Sequence, residues 1–213
     1  MNINHRYQGP EIELFLNGNP PIFNKNFYNK NKKIFAVDGA YNYLKKNKIK
    51  VDYFSGDFDS FPYLNKGKIS VKKCIFETFN QQKTDFEKAL NIIFHKGYFN
   101  INVWGASGKE QDHFLGNISV ALKYKNELSI IFYDKYYSYF FLQKKSNFFV
   151  KKNKIISLFP FPKVMGLRTN GLKYSTKYMK MEIGKDIGIR NKSIKEKIEI
   201  SYKSGNILIF IEK

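Results

Sequence analysis

The stretch VDYFSGDFDSF places Asp52, Asp57 and Asp59 close together in a chain that carries 37 Lys and Arg against 18 Asp and Glu. In an extended segment residues two apart point the same way, so Asp57 and Asp59 can present both carboxylates to one side while Phe58 faces the core. Adjacent like charges repel unless a cation lies between them. A hard divalent ion such as Mg2+ accepts carboxylate oxygens and bridges to the phosphates of a substrate. The same residues also suit a turn, since Gly56, Asp57, Ser60 and Pro62 are loop formers and Asp59 or Ser60 can cap a short helix.

Three further aspartates stand where a strand gives way to a helix. Asp38 in AVDGAYNYL follows the apolar run 34–37, Asp85 opens the segment TDFEKALNIIFHKG, and Asp112 in GASGKEQDHFLGN opens another. Singly, each is a cap or a dipole partner worth about 0.3–1 kcal/mol; together they can converge on one mouth of a sheet. Gly105 and Gly108 lie in the same strand-to-helix connection, which exposes backbone N–H groups to phosphate. Their spacing is neither a Walker A loop nor Gly-x-Gly-x-x-Gly. His113 reads as a structural hydrogen-bonding residue, and His5 and His95 as incidental. Cys74, the single cysteine, reads as inert core; it excludes an internal disulfide and, with three histidines, argues against a Cys/His zinc site.

The elements that must position these residues follow from periodicity. EIELFL (11–16), KIFAV (33–37), KCIF (73–76), INVW (101–104) and LSIIFY (128–133) read as buried strands. Thr84 and Glu87 read as a capping box for a helix that carries Phe86, Ala89, Leu90 and Ile93 on one face and ends at Gly97. A second helix is predicted from about Asp112 to Lys125, and a shorter one after Gly39 through Leu44. Strands alternating with helices predict a mostly parallel, Rossmann-like sheet with flanking helices, whose ligands sit beyond the strands' carboxyl ends. From about Asp134 the pattern changes to short strands broken by Gly, Pro, Asn and Lys, ending in IEISYKSGNILIFIE, which reads as a hairpin turning at Ser204-Gly205-Asn206. Two domains are therefore expected, an α/β domain over 1–133 and an all-β sandwich over 134–213.

A hydrophobic fraction of 43% in 213 residues describes a folded chain even at a formal charge of +19. The N-terminus lacks the pattern of a signal peptide and no long uncharged apolar run exists, so a cytoplasmic protein with no membrane partner is expected. The lysines are spread along the whole chain, which argues against a dedicated nucleic-acid surface. A positive field nonetheless favours small polyanions such as nucleotides.

In combination, AVDGAYNYL, SGDFDS, KTDFEKAL, GASGKEQDHFLGNI and TNGLKY, in that order, resemble the thiamine pyrophosphokinase family in its bacterial form, from about Lys33 to the C-terminus. The resemblance implies transfer of a pyrophosphoryl group from ATP to the hydroxyl of thiamine with Mg2+, an α/β domain followed by a β-sandwich, and a homodimer with thiamine bound between subunits. It also implies that Asp57, Asp59 and Asp85 hold Mg2+ and that Asp38 and Asp112 complete the acidic mouth. For such a reaction an aspartate, Asp85 or Asp112, could take the hydroxyl proton. Gly105, Gly108, Lys109 and Asn117 would contact ATP. Gln81, Tyr174 and Asn191 would serve thiamine, with Tyr174 where the family places a stacking aromatic.

The chain departs from the family pattern at three places. Gly-Gly-Arg-x-Asp-His is replaced by Gly108-Lys109-Glu110-Gln111-Asp112-His113, so a lysine, which lacks the bidentate fork of arginine, is offered to phosphate. Lys-Asp-x-Thr-Asp reads Gln81-Gln82-Lys83-Thr84-Asp85, and Ser-Asn reads Arg190-Asn191. The rival readings are a pyrophosphokinase for another small alcohol such as a pterin, a Mg2+-dependent phosphohydrolase, and a basic nucleic-acid-binding protein with structural aspartates.

Overall fold

The computed structural model describes residues 4–22, 32–56, 75–77 and 82–213. Asp57, Asp59, Cys74 and Gln81 lie outside them. Among the described residues the chain is mixed α/β, rich in strand with three helices, and it divides into two compact units, one from His5 to Lys135 and one from Tyr136 onward.

In the first unit β1 (Glu11–Phe15), β2 (Lys33–Val37), β3 (Tyr53–Gly56), β4 (Ile75–Glu77), β5 (Asn100–Trp104) and β6 (Ser129–Tyr133) form a sheet in the order β4-β3-β2-β1-β5-β6. Every pair is parallel. β3 is absent from the strands read from sequence: its four residues, YFSG, run straight into the aspartate stretch, and pairing to β2 and β4 defines them. Asp52, just before β3, pairs with Lys33 at 2.8 Å and accepts the Ile34 N–H at 3.0 Å. It is therefore a structural partner of the start of β2.

The register aligns Leu14, Val103 and Phe132 across β1, β5 and β6, and Phe15, Trp104 and Tyr133 one residue later, so the two sets face opposite sides. Helix α1 (Ala40–Lys46) packs on the second side against Phe15, Ala36 and Phe54. Helix α2 (Asp85–His95) covers the first side, its Phe86 ring 5.9 Å from Phe132. Burying Phe86, Leu90 and Ile93 stabilises this arrangement by about 1.5–3 kcal/mol each. Thr84 caps α2 by accepting the Glu87 N–H at 3.2 Å. The reciprocal half of the expected capping box is missing, because the Glu87 carboxylate turns to Lys123 on helix α3 (Gln111–Tyr124), 2.7 Å away.

β1 lies between β2 and β5. The chain builds outward from β1 to β4 on one side and then returns to add β5 and β6 on the other. Connections therefore diverge at the carboxyl ends of β1 and β5, the place where an open parallel sheet offers a crevice.

At the N-terminal segment the histidine read as incidental is built in. Asn102 donates to Glu11 and Glu13, both at 2.9 Å, which leaves its Oδ1 to accept His5 Nε2–H at 3.0 Å. Ser129 Oγ accepts the Arg6 N–H at 3.1 Å and donates to His5 Nδ1 at 2.9 Å. This network accommodates a neutral imidazole, and burial pushes the His5 pKa below its ordinary value.

The second unit is all strand: β7 (Tyr137–Phe141), β8 (Lys145–Phe149), β9 (Ile155–Asn170), β10 (Met179–Glu182), β11 (Gly188–Lys192), β12 (Lys197–Ser201) and β13 (Ser204–Glu212). β9 pairs antiparallel with β10, β11, β12 and β13, β13 also with β7, and β12 also with β8. Ile156, Leu158, Val164, Leu167, Ile198 and Ile209 lie in its core. The hairpin read between the last two strands does not form. β12 and β13 instead run one after the other along β9, with Ser201 opposite Arg168 and Ser204 opposite Met165. Gly205 is inside β13, at φ +89 before a register shift, and a Cβ there would strike the Lys163 carbonyl. Its glycine answers a close backbone approach at a bulge.

Candidate active site

A cleft of about 360 Å3 opens at the carboxyl ends of β1, β2 and β5, and Asp38, Asp85, Asp112 and Lys109 all line it. Asp38 follows β2 at φ 45, a left-handed conformation uncommon for a residue with a side chain. Its N–H donates to the Ser55 carbonyl at 3.0 Å and its carbonyl accepts the Tyr41 N–H at 3.1 Å. The Asp38 carboxylate occupies the space that a Cβ on Gly56 would need, so the glycine preceding Asp57 admits this acid to the mouth.

Asp85 begins α2 and accepts Lys88 Nζ at 2.9 Å, with 43% of its side chain still exposed. Asp112 lies in the first turn of α3, where its Oδ1 accepts the His113 N–H at 2.9 Å. His113 and Glu110 are both exposed and 3.5 Å apart. Asn117, one turn further along α3, donates to the Ala106 carbonyl at 3.0 Å and so ties the helix to the loop that follows β5.

That loop turns at two glycines in the left-handed region, Gly105 at φ 68 and Gly108 at φ 94. It is zipped to the loop after β1: Leu16 N–H donates to Trp104 at 2.8 Å, Gly18 to Gly105 at 2.7 Å and Asn19 to Ser107 at 2.8 Å. A Cβ on Gly18 would strike the Gly105 and Ser107 carbonyls. Asn17 accepts Lys109 Nζ at 3.1 Å. Beneath them Tyr43 donates to the Leu16 carbonyl at 3.0 Å, and burial pushes its pKa up, which keeps the hydroxyl a donor. Asn17, Gly18 and Asn19 escaped the sequence reading, although Asn-Gly directly after a buried strand is the signal that could have singled them out.

The donors here are carboxylate oxygens, the chemistry that suits a hard cation such as Mg2+. Among the described residues no three His, Cys, Asp or Glu side chains group closely enough to hold a metal ion by themselves. Asp85 is the described member of the expected ligand set Asp57, Asp59 and Asp85.

In the all-β unit Tyr174 is 65% exposed. Asn191 accepts the Tyr174 N–H at 3.0 Å and donates to its carbonyl at 2.8 Å, so two residues predicted to serve one ligand are in direct contact. The preceding residue, Arg190, adopts φ 58.

The parallel sheet gathers carboxylates, turning glycines and a lysine at its switch point, where an open α/β sheet offers a ligand crevice. The chain belongs to the thiamin pyrophosphokinase family: the model of the family's catalytic domain matches residues 24–132, and that of its vitamin B1 binding domain matches residues 142–207. The thiamine pyrophosphokinase of Bacillus subtilis (strain 168) is 28% identical over 180 residues, 81% of this chain and 83% of that one. A crystal structure from Bacillus subtilis superposes with a TM-score of 0.81 at 24% identity, covering 95% of this chain and 98% of that one. Yeast thiamin pyrophosphokinase gives a TM-score of 0.82 at 18% identity, over 97% and 87% of the two chains. At these identities the solved structures carry the fold. Among the described residues no helix is long and apolar enough to cross a membrane.

Proposed function

We infer from family membership that the chain is an ATP-dependent diphosphotransferase that converts thiamine to thiamine diphosphate and releases AMP. The carrying observation is that the two family domains match in order and together take in both units. The pterin kinase, phosphohydrolase and nucleic-acid readings are not favoured.

The reaction joins the thiamine hydroxyl oxygen to the β-phosphorus of ATP and breaks the bond between that phosphorus and the oxygen of AMP, which leaves with the electron pair. Asp57, Asp59 and Asp85 would hold Mg2+, which when bound neutralises phosphate charge and draws the oxygens into line. Lys109 and the backbone N–H groups around Gly105 and Gly108 bind the phosphates, while Asp38 and Asn117 fix the nucleotide's side of the cleft. Asp85 or Asp112 accepts the hydroxyl proton. Gln81, Tyr174 and Asn191 serve thiamine, whose cationic ring gains from an aromatic face.

We read the N-terminal domain, 1–133, as Rossmann-like and catalytic. The C-terminal domain, 134–213, is read as a β-sandwich that contributes to thiamine binding and to a homodimer, in which Tyr174 of one subunit serves the partner's site. The protein would act in the cytoplasm.

Incubation with ATP, Mg2+ and thiamine followed by separation of nucleotides tests the reading. AMP and thiamine diphosphate in equal amounts are expected. ADP, free phosphate without thiamine diphosphate, or unchanged ATP would overturn it.

A further inference from the structure

We infer that Asn17, on the loop after β1, is the positioning residue that aims Lys109 at the phosphates of ATP, an inference that rests on reading Lys109 as a phosphate contact. Lysine is a flexible point charge, and it gains less from a phosphate when its stem must first be ordered. In this chain it stands beside Glu110, where the family pattern has arginine, so an orienting partner has a task here.

The geometry supplies one. Asn17 Oδ1 accepts Lys109 Nζ at 3.1 Å, and the residues on either side of Asn17 are pinned to the other loop by Leu16 to Trp104 at 2.8 Å and Gly18 to Gly105 at 2.7 Å. Behind it, a Cβ on Gly39 would lie 2.6 Å from Asn17 Oδ1 and 2.7 Å from its Cγ, so the bare glycine at the start of α1 leaves the space that this side chain fills. Among the described residues Lys109 makes no ion pair, and the neighbouring Glu110 approaches His113 instead. An amide oxygen orients the ammonium without cancelling its charge. A carboxylate at position 17 would orient it too, but would neutralise the charge that phosphate needs.

Steady-state kinetics with ATP and thiamine varied separately test this on Lys109→Ala, Asn17→Ala, Asn17→Asp and the Asn17→Ala/Lys109→Ala double variant. Asn17→Ala should raise the ATP KM about threefold to tenfold, the size of one ordinary net hydrogen bond, and leave the thiamine KM unchanged. In the Lys109→Ala background it should add nothing. Asn17→Asp should keep the wild-type melting temperature yet raise the ATP KM at least as far, and Gly39→Ala, which displaces the amide, should shift the ATP KM in the same direction. An Asn17→Ala effect of the same factor with and without Lys109, or an Asn17→Asp enzyme with wild-type ATP KM, overturns the inference while leaving Lys109 in place. A Lys109→Ala enzyme with wild-type ATP KM overturns the phosphate-contact reading itself, and Asn17's role with it.

Discussion

Asn191 grips the backbone of Tyr174 at both polar atoms of its amide, accepting the N–H at 3.0 Å and donating to the carbonyl at 2.8 Å. Its Oδ1 also accepts the Lys192 N–H at 2.8 Å, so the amide is largely occupied in shaping the loop that presents Tyr174. Tyr174→Ala should raise the thiamine KM by a factor matching roughly 0.5–2 kcal/mol of lost stacking, with ATP binding nearly unchanged and Tyr174→Trp tolerated. Asn191→Ala should act in the same direction and add little in a Tyr174→Ala background. An additive effect on the thiamine KM would mean that Asn191 meets thiamine directly.

Asp85 separates a metal role from a helix role. As a dipole partner of α2 it contributes about 0.3–1 kcal/mol of stability, and Asp85→Asn would then cost little activity. As a Mg2+ ligand beside Asp57 and Asp59, its loss should lower turnover by about a hundredfold or more and shift the Mg2+ dependence to higher concentration, with circular dichroism unchanged. Turnover near wild type across a Mg2+ titration would remove Asp85 from the ligand set.

Acid should weaken the fold through His5. Its folded pKa is depressed below 6.5, chiefly by burial, with Asn102, Glu11 and Glu13 opposing that effect and Lys32 adding to it. Above 6.5 both folded and unfolded chains keep the ring neutral, so its contribution is level; as the pH falls below 6.5 the unfolded chain takes the proton first and stability drops. Urea unfolding from pH 7.5 downward should show this slope. His5→Phe should be less stable at pH 7.5, by about 1–3 kcal/mol for stranded partners, and flatter below it. An equal slope in both proteins would assign the acid sensitivity to other groups.

Periodicity reports burial, and the strands β1, β2, β5 and β6 and the helices α1, α2 and α3 are the elements whose burial is one-sided or continuous enough to read. What it could not report is pairing. YFSG became a strand through its pairing with β2 and β4, and IEISYKSGNILIFIE shows the alternation of a hairpin while both of its strands, β12 and β13, pair with β9. Pro160 and Pro162 suggested a break, yet β9 runs through them for 16 residues. In the cleft, charged residues at strand ends were legible because a helix start or a glycine turn marks each one. Asn17 was not, since neutral amides are common in loops and its contact with Lys109 joins residues 92 apart. His5 was passed over for the same reason: its partners lie on β5 and β6.

Gly116 offers a test of how far the ligand reaches into the cleft. It lies inside α3 and lines the cleft, and a Cβ there would meet nothing within 4 Å. Glycine in a helix interior costs roughly 0.5–1 kcal/mol relative to alanine, so in the free protein Gly116→Ala should stabilise, raising the melting temperature by about 1–4 °C. If ATP lies along the start of α3, beside Asp112 and Asn117, the added methyl enters space that the nucleotide uses. The variant should therefore melt later and bind ATP more weakly, with its ATP KM raised several-fold and its thiamine KM unchanged. Gain of stability with a wild-type ATP KM would mean that the nucleotide stops short of Gly116 and is held from the Lys109 side of the cleft alone.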